Sequence, residues 1–213
     1  MFLLMSDRND GGPPVGRGKR GGYPAGAVTA DTYSWWKKMV QENPESVIVS
    51  AHHHMLKETT MASGEFEGFR KTNNGAYKSH YHGYFPAGAP KGASYLYFVD
   101  KKPDAQAFEA YLAENPNAID FWLGGHTHSH PDDMKGGRSH VERKWDVNFV
   151  NCAALSKYHA NKTTIPISRL LTFTAGSDKV QVQCYLHTSE HAPQGWYPKA
   201  ERTVKISKPF SFS

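Results

Sequence analysis

The sequence predicts a mixed α/β fold, α+β in its second half, and three observations carry that reading. Two short apolar runs, residues 46–51 and 119–123, have the length of buried strands. A helical segment with one apolar face precedes each of them. Beyond residue 146 the pattern is strand only. The order strand, helix, strand, helix, strand and then strands fits a mixed α/β sandwich.

In chain order, residues 2–6 read as a strand that begins abruptly. Residues 10–27 hold seven glycines and three prolines and form a long loop. Thr29 can cap the next helix, with Asp31 in the first turn where the helix dipole favours an acid. Trp35, Trp36, Met39 and Val40 form its apolar face, and Asn43 and Pro44 stop it. The strand at 46–51 runs straight into His52, His53 and His54. Residues 57–93 are polar, glycine-rich and aromatic without a period, the character of a lid or substrate loop. A strand is expected at 94–99. A helix comes next, with Pro103 in its first turn and Phe108, Tyr111 and Leu112 on its apolar face. The strand at 119–123 ends in Gly124 and Gly125 and then presents His126, Thr127 and His128. Residues 130–144 are too rich in charge and glycine for a core segment. Further strands are expected at 147–152, 169–174 and 180–186, the last two joined by a glycine-containing hairpin connection. The expected organisation is one domain over 1–191, with a loop insertion at 57–93, and a loosely packed tail at 192–213.

With 38% hydrophobic and 21% charged residues in 213, the chain is globular rather than disordered. No apolar run approaches the ~20 residues that span a bilayer, so no membrane partner is expected. The start lacks a signal-peptide core, and a cytoplasmic location is the default expectation. The net charge of +5 is dispersed; it either favours an anionic substrate such as a phosphate ester or simply solvates the surface. No nucleic-acid motif is present, so nucleic acid is not indicated as a partner. Cys152 and Cys184 both sit in apolar, strand-like runs and read as core thiols rather than a disulfide.

The histidines are the most informative feature. A lone histidine is usually a hydrogen-bonded structural residue. Here two strands each deliver a histidine group at the carboxyl end, which is where open α/β sheets gather their ligand sites. Imidazole is the commonest side-chain metal ligand. The two glycines before His126 allow a sharp turn and the close approach of a bulky ligand.

Three ordered segments resemble the calcineurin-like metallophosphoesterases, in particular their C-terminal half. Residues 47–54 resemble the family's strand-then-histidine motif, and Gly125, His126, Thr127 and His128 resemble its Gly-His-x-His motif. Residues 3–7, the glycine loop and Trp35–Trp36 resemble the segment that precedes the histidine strand. The resemblance implies a four-layer α-β-β-α sandwich, partial in this chain, with mixed sheets and a dinuclear site of Mn, Fe, Zn or Co. It implies that His52 and His126 share one metal and that His128 binds the other. His53, His54, His80, His82 and Asp7 are left as substrate or outer contacts. The implied reaction is hydrolysis of a phosphate mono- or diester by a metal-activated water.

The family's first half supplies an Asp-x-His motif, a bridging Asp and an Asn-His pair. This chain contains neither an Asp-x-His nor an Asn-His sequence. The catalytic residues therefore stay unassigned. The expectation is an incomplete or truncated form, completed by another chain or segment, or self-associating. Two other readings stay open: a catalytically inactive binding module of the same fold, and a one-metal site of His52, His126 and His128 with an open position.

Overall fold

The computed structural model describes residues 1–6, 27–64, 70–71, 77–78, 95–98, 106–127, 129–153, 166–187 and 194–212. Strand β1, Phe2–Leu4, comes first, and β2, Ala27–Val28, precedes helix α1, Ala30–Glu42. Thr29 caps α1, its hydroxyl oxygen accepting from the Thr32 N–H at 3.3 Å. Strand β3 is Val49–Ala51. Short strands β4, Arg70–Lys71, and β5, Tyr77–Lys78, pair with each other, and β6, Tyr97–Phe98, pairs with β2. Helix α2 is Ala107–Glu114. Then come β7, Phe121–Gly124, β8, Val141–Lys144, and β9, Val147–Asn151. Strands β10, Ile167–Phe173, β11, Lys179–Leu186, β12, Gly195–Trp196, and β13, Arg202–Lys205, complete the chain. The molecule mixes helices and strands, as an α/β fold requires. Among the described residues no helix is long and apolar enough to cross a membrane.

The first sheet has the order β1-β3-β7-β9-β8. Its first four strands are parallel and β8 runs antiparallel to β9. Helix α1 lies in the connection from β1 to β3, and α2 in that from β3 to β7, as parallel pairing demands. Both helices bury their apolar faces on one side of this sheet. Trp36, Val40, Phe108, Tyr111 and Leu112 pack with Leu3, Ile48, Trp122 and Phe149. The Trp36 ring meets Phe108 edge-on at 4.9 Å, and its Nε1–H donates to the Ser50 hydroxyl at 2.8 Å, so the buried indole leaves no unpaired donor. On the other face, Val49, Phe121 and Val150 pack against Val180 and Val182 of the second sheet and Ile206 just beyond β13. In that sheet β10 and β11 are antiparallel, and β12 and β13 both pair with β11. The described layers are thus helix, sheet and sheet.

Four local expectations change. Trp35 is 43% exposed; Tyr33 takes its place, with its ring 4.9 Å from Phe108, because positions 33, 36 and 40 follow the helical stripe and 35 leaves it. Residues 141–144 form an edge strand, turned back at Trp145 and Asp146, both with positive φ (51° and 59°), the two-residue hairpin geometry. Charge is normal on an edge strand, and it masked the strand pattern. The start of the 57–93 segment is core: Thr59, Thr60, Met61 and Ser63 are buried. The Ser63 hydroxyl accepts from the Thr59 and Thr60 N–H groups at 2.9 and 3.0 Å. The segment beyond 192 is not loose, since β12 and β13 extend the second sheet and Ile206 is buried beneath it.

Candidate metal centre

Strands β3 and β7 are parallel neighbours, with Ala51 in register with Leu123. Their carboxyl ends therefore emerge side by side, and the residues just beyond them, His52–His54 and Gly125–His126, meet. The His54 N–H donates to His52 Nδ1 at 3.0 Å, which folds residues 52–54 into a tight turn. That turn is pinned to β7 and the residue after it. The Gly125 N–H donates to the His53 carbonyl at 2.9 Å, and the Trp122 indole N–H donates to the His54 carbonyl at 3.2 Å.

The two glycines are explained by this contact. A Cβ on Gly124 would lie 2.5 Å from Met55 Sδ and 3.2 Å from the His52 carbonyl oxygen. A Cβ on Gly125 would lie 3.0 Å from the Ala153 carbonyl oxygen. The close approach that the glycines permit is therefore made by the chain itself, where the sequence suggested a ligand. His126 comes next with φ of +72°, and the Thr127 N–H returns to the Gly125 carbonyl at 2.9 Å. A three-residue turn with a central φ near +75° is rare and strained. Strain of this kind collects at functional sites, where the surroundings hold it in place.

The result is a group of three imidazoles. One ring nitrogen from each of His53, His54 and His126 lies within 4.8 Å of the others, and these three could hold a metal ion. His126 Nδ1 is 3.1 Å from His53 Nε2. The His54 and His126 rings lie 3.5 Å apart, tilted by 34°. A tetrahedral ion with bonds of about 2.0–2.1 Å sets its ligand nitrogens about 3.3 Å apart, so the 3.1 Å pair already matches such a donor set. His54 and His126 are buried, and His53 is exposed. His54 Nδ1 is wholly buried and has no hydrogen-bond partner, a feature that asks for an ion or a water. Burial, and then the neighbouring His126, His52 and His53, hold His54 well below the usual histidine range. It is therefore neutral, as a ligand must be.

His126 stands in the group as the motif suggested. His53 and His54, expected as outer contacts, stand beside it. His52 is buried at the edge, its ring 6.1 Å from that of His54 and its Nδ1 engaged by the turn. His128, His80, His82 and Asp7 lie outside the described residues. Among the described residues no carboxylate joins the group.

Around the turn lies a polar network that the sequence did not reveal. Asn151 Nδ2 donates to the Thr127 hydroxyl at 3.0 Å, and Ser129 Oγ lies 2.9 Å from His140 Nε2. Burial first, then the charges of Arg169 and His130, push the His140 imidazole down to about 3. It stays neutral and braces Ser129, whose hydroxyl in turn lies 3.1 Å from that of Thr127.

No family model and no curated protein matches this chain. The chemistry must be read from the donor set. Three imidazole ligands would leave the charge of a divalent ion uncompensated and, among the described residues, a tetrahedral position open, the pattern of catalytic rather than structural zinc sites.

Proposed function

We propose that this chain is a metal-dependent hydrolase of phosphate esters with a single divalent ion held by His53, His54 and His126. The observation that carries the reading is the convergence of these three imidazoles at the carboxyl ends of β3 and β7. Imidazole ligation suits zinc, and also iron, cobalt or manganese at lower affinity. A bound ion supplies a water whose pKa falls to about 7 and a charge that polarises a phosphoryl oxygen. His54 and His126 form the buried wall of the site, and the exposed His53 marks the side from which substrate enters. The phosphate-ester substrate rests on the Gly-His-Thr-His resemblance and on the surplus positive charge of the chain. By the same resemblance, the described helix, sheet and sheet would be three layers of a four-layer α-β-β-α sandwich.

A one-ion centre is preferred to a dinuclear one because no carboxylate bridges the group among the described residues. Two divalent ions a few ångströms apart repel strongly without such a bridge. Elemental analysis of the loaded protein, with assay on a chromogenic phosphodiester and monoester, tests the reading. We expect one equivalent of zinc or cobalt per chain, and metal-dependent turnover lost in His126→Ala. Binding of no ion overturns the metal centre. Binding of one ion without turnover of any phosphate ester overturns the reaction.

A further inference from the structure

Strand β10 carries one residue that breaks its pattern. Ile167, Arg169, Leu171 and Phe173 alternate onto one face, opposite Leu186, Cys184, Val182 and Val180 of β11. Seven of these eight are core-type residues and the eighth is an arginine. Its Nη1 donates to the Ala200 carbonyl at 2.8 Å. Its Nε and Nη2 are both buried and have no hydrogen-bond partner. These two groups form one edge of the guanidinium, the edge that grips two oxygens of a phosphate or carboxylate at once.

A guanidinium edge buried without a partner is costly, and no group among the described residues meets the Nε–Nη2 edge. The thiols of Cys152 and Cys184 sense the Arg169 charge, but burial pushes both thiols up and keeps them neutral. Asp132 is committed to Lys199 at 2.6 Å and to the Tyr197 hydroxyl at 2.8 Å. Burial above all, and then the nearby Arg202 cation, hold the Arg169 guanidinium below the usual arginine range, against the pull of the two thiols. The location is equally informative. Cys152 lies just beyond β9, and its N–H donates to the Gly124 carbonyl, two residues before His126. Ala153 packs with Ile167, Cys184 and Ala200, the surroundings of Arg169, and its carbonyl lies against Gly125, so Arg169 on β10 of the second sheet lies near the end of β9 beside the histidine turn.

We propose that Arg169 is an oxyanion-binding residue, its Nε–Nη2 edge taking two oxygens of a phosphate group. That this phosphate belongs to the substrate of the histidine centre rests on the function proposed above; the anion site does not.

The full chain, stripped of metal by chelation, is titrated with inorganic phosphate and with sulfate at constant ionic strength. Heat release and thermal unfolding are both monitored, with acetate as a comparison. Both tetrahedral anions should bind saturably and raise the melting temperature, acetate less. Arg169→Lys keeps the charge but loses the fork, and should bind phosphate at least tenfold more weakly. Arg169→Met suits its apolar row, so it should melt at or above the wild-type temperature without phosphate and gain nothing from it. His126→Ala should bind phosphate as the wild type does. Phosphate binding that persists without metal uptake would sink the hydrolase reading alone. Equal phosphate stabilisation of wild type and Arg169→Met, no saturable binding at all, or an equal response to acetate would overturn the Arg169 site.

Discussion

His126 Nδ1 and His53 Nε2 lie 3.1 Å apart, although 73 positions separate them in the chain. The approach is produced by the sheet: adjacent parallel strands in register bring the residues after Ala51 and after Gly124 to one place. Each imidazole should therefore matter to metal binding. His53→Ala, His54→Ala and His126→Ala should each weaken cobalt or zinc binding by more than about 100-fold, beyond what an outer partner costs. A competition titration against a chromogenic chelator reads this. His52→Ala should cost less, since its Nδ1 serves the turn. Equal losses at His52 and His54 would assign His52 as a ligand.

Gly124 should tolerate no side chain. Alanine there must displace Met55 Sδ, which is buried, and press on the His52 carbonyl. We expect Gly124→Ala to lose about 1–3 kcal/mol in urea unfolding, in the range of an overpacked core. It should also lose metal affinity, because the His52 and His54 backbone it presses on belongs to the histidine turn. Unchanged stability would mean that the turn is looser than the contact distances imply.

Asp120 joins two distant parts of the chain. Its carboxylate accepts from the Ile48 N–H at 2.8 Å and from the Ser207 N–H at 2.7 Å, and it is buried. Asp120→Ala leaves both donors unmet, at about 1–3 kcal/mol each when buried. A total loss of about 2–4 kcal/mol is expected in chemical denaturation, against a smaller loss in Asp120→Asn, which keeps one acceptor. A loss under about 1 kcal/mol in the alanine variant would refute this bridging role.

Glu109 should make stability fall as pH rises. It is buried on α2, one oxygen accepting from the Lys57 N–H at 2.7 Å and the other unpartnered. Burial raises its pKa from 4.5 to about 7, against the pull of that hydrogen bond. Between these values the folded chain holds a proton that the unfolded chain has lost. The stabilisation is full below pH 4.5 and is lost as pH climbs through about 7, by about 3 kcal/mol in all. Glu109→Gln should remove this slope and exceed the wild type above pH 7. Parallel pH profiles of melting temperature for the two proteins would show that Glu109 ionises freely.

Much of this molecule was written in local pattern. The cap at Thr29, the stop at Asn43, the apolar face Phe108, Tyr111 and Leu112, and the strands that carry the histidines all arise from neighbours a few residues apart. So does the expectation of histidines at strand ends, since a strand and the residues just beyond it are contiguous. Edge strand β8 escaped because charge is tolerated where one side of a strand is open. Which histidines assemble is different in kind. His53 and His54 differ from His52 only by the path of a turn, and that path is set by hydrogen bonds from Gly125 and Trp122 on another strand. Arg169 shows the same division. Its place in an apolar alternation is legible in Ile167, Leu171 and Phe173, while the missing partner for its fork exists only once two sheets have closed around it. Short-range sterics and periodicity act within the sequence. Burial, register and the pairing of polar groups are properties of the packed chain, because only packing decides which groups lose their water and what they meet instead.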